Sequence, residues 1–192
     1  MQEVSFELIY TTASEAPACL VSSGGDMSGR EAFWFALELA VCLLICHLAG
    51  AVGSVFTIPS MSGWYAAIAK PSFTPPSWLF APVWLSLYTA MGVSLFIVWR
   101  KRGEEGAALA LIFFAMQLFL NALWSPAFFG LESPVAGLAV VVSLFVAIAA
   151  TVINFYRISP VAAWILVPYL AWVGFAAVLN AAVFFMNLPE VA

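Results

Sequence analysis

The sequence predicts an all-α membrane protein, a five-transmembrane-helix bundle, and three observations carry that reading. Of 192 residues, 65% are hydrophobic and only 8% are charged, where a soluble domain carries about a quarter charged. Five apolar stretches, 32–56, 77–99, 106–129, 134–156 and 160–186, are each long enough to cross a hydrocarbon core of roughly 30 Å, which takes about 20 helical residues. The connections between them are short. The chain therefore reads as one five-helix unit over 30–192, preceded by an N-terminal tail over 1–29.

The tail carries Glu3, Glu7, Glu15 and Asp26 among Ser, Thr and Gly, with no basic residue before Arg30. A secretory signal opens on a positive segment, and a mitochondrial transit peptide is Arg-rich and poor in acids. Neither pattern is present, and the composition predicts a disordered segment. Orientation follows from the cations. Arg30, the run Arg100, Lys101, Arg102 and then Arg157 fall on one side of the spans, against Lys70 alone on the other. The positive-inside rule puts the N-terminus in the cytoplasm if the membrane is a plasma membrane. A net charge of -4 argues against nucleic acid as a partner.

The first span holds Glu38, Cys42, Cys46 and His47. An intramembrane carboxylate is a functional candidate by default, but Glu38 lies near enough to the cytoplasmic end to snorkel. Cys42 and Cys46 share one helix face, either as small buried apolar residues or as a metal pair with His47, the one histidine. No second cluster completes a tetrahedral metal set, and Cys19 in the tail supports no reading. With so few ionisable groups in the spans, an ion pump working through a charge ladder is excluded. Gly50, Gly53 and Ser54 on this span, like Ala139, Ser143 and Ala147 on the fourth, form small-residue ridges suited to close helix packing.

Between the first two spans runs WYAAIAKPSFTPP, residues 64–76. Proline has no backbone donor, so this loop cannot lie in lipid with its freed carbonyls unpaired. It is too aromatic for a simple solvated linker. Such a loop reads as a rigid lid over a pocket between helices.

The spans carry aromatic and amide stripes at helical spacing. Trp84 and Tyr88 share a face of the second, Gln117, Asn121 and Trp124 a face of the third, with Pro126 just beyond. Trp172, Ala176 and Asn180 line a face of the fifth, with Pro168 a turn earlier. Amides are costly against lipid, so these faces should turn inward. Together they would enclose a cavity with flat aromatic walls and few neutral polar groups, matched to a large planar apolar ligand. The competing reading makes the amides interhelical glue and the tryptophans interfacial anchors, as suits Trp34, Trp78, Trp99 and Trp164 near the span ends. Glycine-rich phosphate loops, nucleophile elbows and metal-binding histidine pairs are all missing from the sequence.

The segments GSVFT (53–57), WYAAIAKPSFTPP (64–76), the VW–LY run (83–88), Gln117 with NALWSPAFFG (121–130) and VPYLAW (167–172) together resemble the translocator protein family. Its bacterial members are called tryptophan-rich sensory proteins. The resemblance covers roughly residues 45–188. It implies five tightly packed spans, often as a homodimer, in a bacterial plasma or outer membrane or the mitochondrial outer membrane. It also implies a pocket under the first loop for porphyrins such as protoporphyrin IX or haem, and for isoquinoline and benzodiazepine-type drugs, with no obligatory cofactor. Matched by motif, the pocket walls would be Tyr65 and Pro75 from the loop, Trp84 and Tyr88, Asn121, and Trp172 with Ala176. Trp84 and Trp172 are expected on opposite walls, and in some bacterial members light-dependent porphyrin breakdown has been attributed to the matching tryptophans.

Two positions depart from the family pattern. Phe73 stands where many members have Trp. The segment VLNAAVFFMN (178–187) lacks the Tyr and basic residue of the mammalian cholesterol motif, a weak motif even when intact. The implied functions are a tetrapyrrole receptor or sensor, a transporter of tetrapyrroles or other small metabolites, and a light-dependent porphyrin-degrading enzyme. Five spans do not divide into the equal inverted halves common in transporters, which favours the receptor.

Overall fold

A computed structural model describes residues 29–188. The expectations for the tail before Gly29, Cys19 included, lie outside the described residues. Helix α1 spans Gly29–Met61, the one-turn α2 Trp64–Ala67, α3 Ser77–Arg100 and α4 Ala107–Ser125. A π-helical turn follows at Pro126–Gly130, then α5 at Pro134–Ile158 and α6 at Pro160–Met186. Among the described residues, five helices are long and apolar enough to cross a membrane: α1, α3, α4 with its π-helical turn, α5 and α6. The chain divides into two units, 1–35 and 36–192. The described part of the first is the opening of α1, and the second, from Ala36, holds the helical bundle.

Local chemistry sets the boundaries. Ser133 and Ser159 cap α5 and α6, each accepting from the backbone N–H three residues on, with Pro134 and Pro160 next in line. Serine at the cap and proline in the first turn are the favoured start of a helix. Gly106 precedes α4 with φ of 82°, a left-handed conformation that a side chain would strain. The first helix runs past residue 56, where the sequence reading ended it, and continues through Pro59 to Met61. Pro59 lies in the last turn, so its missing N–H removes one bond just where the helix stops.

Packing is densest among α4, α5 and α6, where Phe114 and Phe155 stack at 5.6 Å. Ser94 ties α3 to α6 by donating to the Ala162 carbonyl at 2.8 Å. Of the ridge expected on α5, Ala147 is buried while Ala139 and Ser143 are exposed. The inward face joins Ala147 to Gly137, Val141, Leu144, Ile148, Thr151 and Phe155, and most of these side chains are larger and bury more apolar area.

Arg100, Lys101, Arg102 and Arg157 collect at one end of the bundle. Arg100 Nη1 donates to Glu38 Oε2 at 3.0 Å, Arg102 lies 4.0 Å from the other carboxylate oxygen, and Lys101 Nζ donates to the Ile158 carbonyl beside Arg157. Glu38 is thus an ion-pair partner at the basic end of the bundle.

Candidate ligand-binding site

The lid end of the bundle, opposite those cations, encloses a cavity of about 420 Å³. Helix α1 contributes Gly50, Gly53, Ser54, Thr57, Ile58 and Met61, and α3 contributes Ser77, Phe80, Ala81, Trp84 and Tyr88. The remaining walls are Tyr65 from α2, Asn121, Trp124 and Ser125 from α4, Phe128 and Phe129 from the π-helical turn, and the inner faces of α5 and α6. None of these lining residues is charged.

The walls are mostly ring faces. Trp84 stacks on Tyr88 at 5.4 Å and meets the edge of Tyr169, while Phe80 meets Trp172 at 6.0 Å. On the other side Trp124 stacks on Phe128 at 5.3 Å, with Phe129 edge-on to both. The stacked approach of Tyr88 depends on Gly50: a Cβ there would collide with the Tyr88 ring. The π-helical turn carries Phe128 and Phe129 into the interior together. Both are buried although they are consecutive in sequence.

A directional hydrogen-bond chain forms the cavity floor. Tyr88 donates its hydroxyl to Asn121 Oδ1 at 2.7 Å, Asn121 Nδ2 donates to the Tyr169 oxygen at 2.9 Å, and Tyr169 donates to Gln117 Oε1 at 3.0 Å. Both amide atoms of Asn121 are therefore engaged within the protein. This residue fixes the Tyr88 ring in place against Trp84.

The lid is knotted to the bundle. Lys70 Nζ donates to the carbonyls of Tyr65, Ala66 and Ile68 and sits 4.8 Å from the centre of the Tyr65 ring. At the end of α6, Asn187 accepts from the Ala69 N–H and donates to the Ala69 carbonyl, both at 2.9 Å. Tyr65 itself plugs the cavity from above, edge-on to Phe128 and Phe129. Burial pushes its phenol above the ordinary value of 10, so it stays neutral at physiological pH. Exposed lining residues cluster at Ser54, Ile58 and Met61 of α1 and Ser77 and Ala81 of α3. The mouth accordingly lies between the last turns of α1 and the first turns of α3.

Of the residues singled out in the sequence, Tyr65, Trp84, Tyr88, Asn121, Trp172 and Ala176 all line this cavity. Pro75 lines a smaller adjoining recess with Lys70 and Thr74, which shares Met61, Tyr65, Ser77 and Phe80 with the main cavity. Trp84 and Trp172 sit on packed neighbours α3 and α6, where Trp84 meets Tyr169 edge-on and Trp172 meets Phe80 edge-on, and Trp124 and Phe128 line the same cavity from α4 and the π-helical turn. Trp34, Trp78, Trp99 and Trp164 are exposed. Phe73 is also exposed, with its ring 6.5 Å from Phe175. Cys42 and Cys46 are buried. The Thr89 hydroxyl donates to Leu85, which makes His47 Nε2 the donor to Thr89 at 3.2 Å. Among the described residues no three His, Cys, Asp or Glu side chains converge on a metal-sized site. Sequence reasoning missed Phe80, Phe128 and Phe129 as walls and Asn187 as a lid tether. Phe80 was accessible to it, being one turn before Trp84.

Fold and cavity together define a class: a multi-pass helical membrane protein with an uncharged, aromatic cavity under a tethered loop. Residues 42–186 match the TspO/MBR family, and the chain belongs to it. It is 43% identical over 155 residues to the tryptophan-rich protein TspO of Chlorobaculum tepidum, covering 79% of this chain and 96% of that one. The translocator protein of Homo sapiens is 44% identical over 133 residues, 67% of this chain and 78% of its own. The tryptophan-rich sensory protein of Cereibacter sphaeroides is 35% identical over 144 residues, 75% and 89% respectively.

Proposed function

We propose that this chain is a membrane receptor or sensor for porphyrins, protoporphyrin IX and haem among them, and for related planar hydrophobic ligands held beneath the 64–76 loop. The observation that carries this reading is the cavity wall itself. Ring faces from α3, the π-helical turn and α6 surround a space whose lining holds no charge, and flat aromatic surfaces favour offset stacking with a flat ligand. In this reading Trp84, Tyr88 and Trp172 stack against the ligand, Ala176 leaves room for its edge, Tyr65 closes over it and Asn121 holds Tyr88. Pro75 shapes the adjoining recess. The name of the Cereibacter relative as a sensory protein agrees with a receptor.

The test is a titration of the purified protein in nanodiscs with protoporphyrin IX, followed by quenching of tryptophan fluorescence. Saturable quenching is expected. Linear quenching equal to partition into protein-free nanodiscs would refute the reading. A second reading, light-dependent porphyrin breakdown, is favoured by one observation: the oxidisable indoles of Trp84 and Trp172 both line the cavity. Equal loss of porphyrin absorbance in light and darkness would leave binding alone. Flux of labelled porphyrin into proteoliposomes separates transport from both.

A further inference from the structure

At the basic end of the bundle, opposite the aromatic cavity, the four cations are unequally occupied. Arg100 Nη1 lies 3.0 Å from Glu38 Oε2, and Lys101 Nζ is shared between the Ile158 carbonyl at 3.0 Å and Glu104 Oε1 at 3.3 Å. Arg102 is different. Its Nη1 lies 4.0 Å from Glu38 Oε1, beyond hydrogen-bond range, and donates instead to the Trp99 carbonyl of its own helix end at 3.1 Å. Arg157 is exposed and makes no hydrogen bond or ion pair among the described residues. Two guanidinium groups, each with five N–H donors, therefore keep most of them for something outside the chain.

Both belong to one patch. Lys101 precedes Arg102 and Ile158 follows Arg157, so the bond from Lys101 to the Ile158 carbonyl ties the end of α3 to the end of α5. Arg100 and Arg157 stand in the last turns of those helices, and an exposed ring precedes each on the bilayer side, Trp99 before Arg100 and Tyr156 before Arg157. The Arg102 guanidinium lies 5.1 Å over the Trp99 ring. That contact holds it at the level where aromatic belts meet lipid headgroups.

We propose that Arg102 and Arg157 bind the phosphodiester of an anionic phospholipid, of the phosphatidylglycerol kind, in the leaflet at this end. A guanidinium fork matches two phosphate oxygens, and basic residues at a span end attract anionic lipid. The exposed rings decide between a lipid and a soluble phosphate. Trp99 and Tyr156 offer apolar area to the glycerol and the first acyl carbons, which a free anion does not use. Phosphatidylcholine carries the same phosphodiester, but its own ammonium cancels the charge. Glu38 keeps Arg100 out of the site by pairing with it.

Native mass spectrometry of the full chain, equilibrated in detergent with equal amounts of phosphatidylglycerol and phosphatidylcholine of identical acyl chains, tests this. The wild type is expected to retain phosphatidylglycerol with a preference of roughly tenfold or more, as two basic groups near the surface would give. The double variant Arg102→Gln, Arg157→Gln is expected to bring that preference close to one, with unchanged thermal unfolding by circular dichroism in phosphatidylcholine nanodiscs. Arg102→Lys keeps the charge but loses the fork, and is expected to keep only part of the preference. Equal retention by the wild type, or a preference that survives the double variant, overturns the proposal. An undiminished preference in Arg102→Lys also overturns it, since attraction to the basic end as a whole would then suffice. Displacement of the bound lipid by millimolar inorganic phosphate would make a soluble anion the occupant and overturn it as well.

Discussion

Tyr169→Phe should destabilise the bundle far more than Tyr88→Phe, although each deletes one hydroxyl from the same chain of hydrogen bonds. Tyr169 is fully buried, and its oxygen both accepts from Asn121 and donates to Gln117. Gln117 Nε2 already lacks a partner. Removing the Tyr169 hydroxyl therefore leaves the whole Gln117 amide unpaired at 1% exposure, together with Asn121 Nδ2. Two newly orphaned buried groups at about 1–3 kcal/mol each give a loss of about 2–6 kcal/mol. Removing the Tyr88 hydroxyl orphans Asn121 Oδ1 alone, beside the cavity, for about 0.5–1.5 kcal/mol. Reversible unfolding in mixed detergent and SDS micelles, followed by helical circular dichroism, reads both values. A double-mutant cycle of Tyr88→Phe with Asn121→Leu should return a coupling of about 0.5–1.5 kcal/mol. Equal losses for the two tyrosines, or a larger loss for Tyr88→Phe, would refute the hydrogen-bond chain as drawn.

Three further outcomes follow from the same geometry. Gly50→Ala should drive the Tyr88 ring off its position, costing about 1–3 kcal/mol of stability by overpacking and weakening protoporphyrin IX binding in the same titration. Asn187→Leu removes both bonds to Ala69. Hydrogen exchange at the Ala69 amide should accelerate, and porphyrin dissociation should speed up by roughly three- to tenfold, the equivalent of about one hydrogen bond. Single cysteines placed at Gly103 and Glu132 should label from opposite faces of the membrane, since those loops end successive spans. Labelling of both from one side would break the topology.

The bundle was legible in the sequence because hydropathy sets span number directly. The face-sharing of Trp84 with Tyr88, and of Trp172 with Ala176 and Asn180, was legible for the same reason: helical spacing fixes it. What could not be read is how faces of different helices meet. Trp84 meets Tyr169 and Trp172 meets Phe80 because α3 packs on α6, a tertiary choice that spacing within one helix does not encode. Phe128 and Phe129 were hidden by the π-helical turn, whose wider winding breaks the periodicity on which the reading relied. Asn121 lines the cavity, and the engagement of both its amide atoms depends on two tyrosines from other helices. The Asn187 tether joins residues far apart in sequence and has no local signal.

The reading of the cavity as a porphyrin site turns on its indole walls. The most direct measurement compares protoporphyrin IX affinity in Trp84→Ala, Trp172→Ala and Trp99→Phe, in nanodiscs, by fluorescence titration. Trp84 and Trp172 line the cavity, whereas Trp99 is exposed at the far end of α3 with Arg102 over its ring. Loss of either cavity indole should weaken binding by roughly tenfold or more, about 1.4 kcal/mol, while Trp99→Phe leaves it unchanged. If all three variants bind protoporphyrin IX alike, the ligand does not sit between these walls, and the tryptophans serve packing and anchoring only.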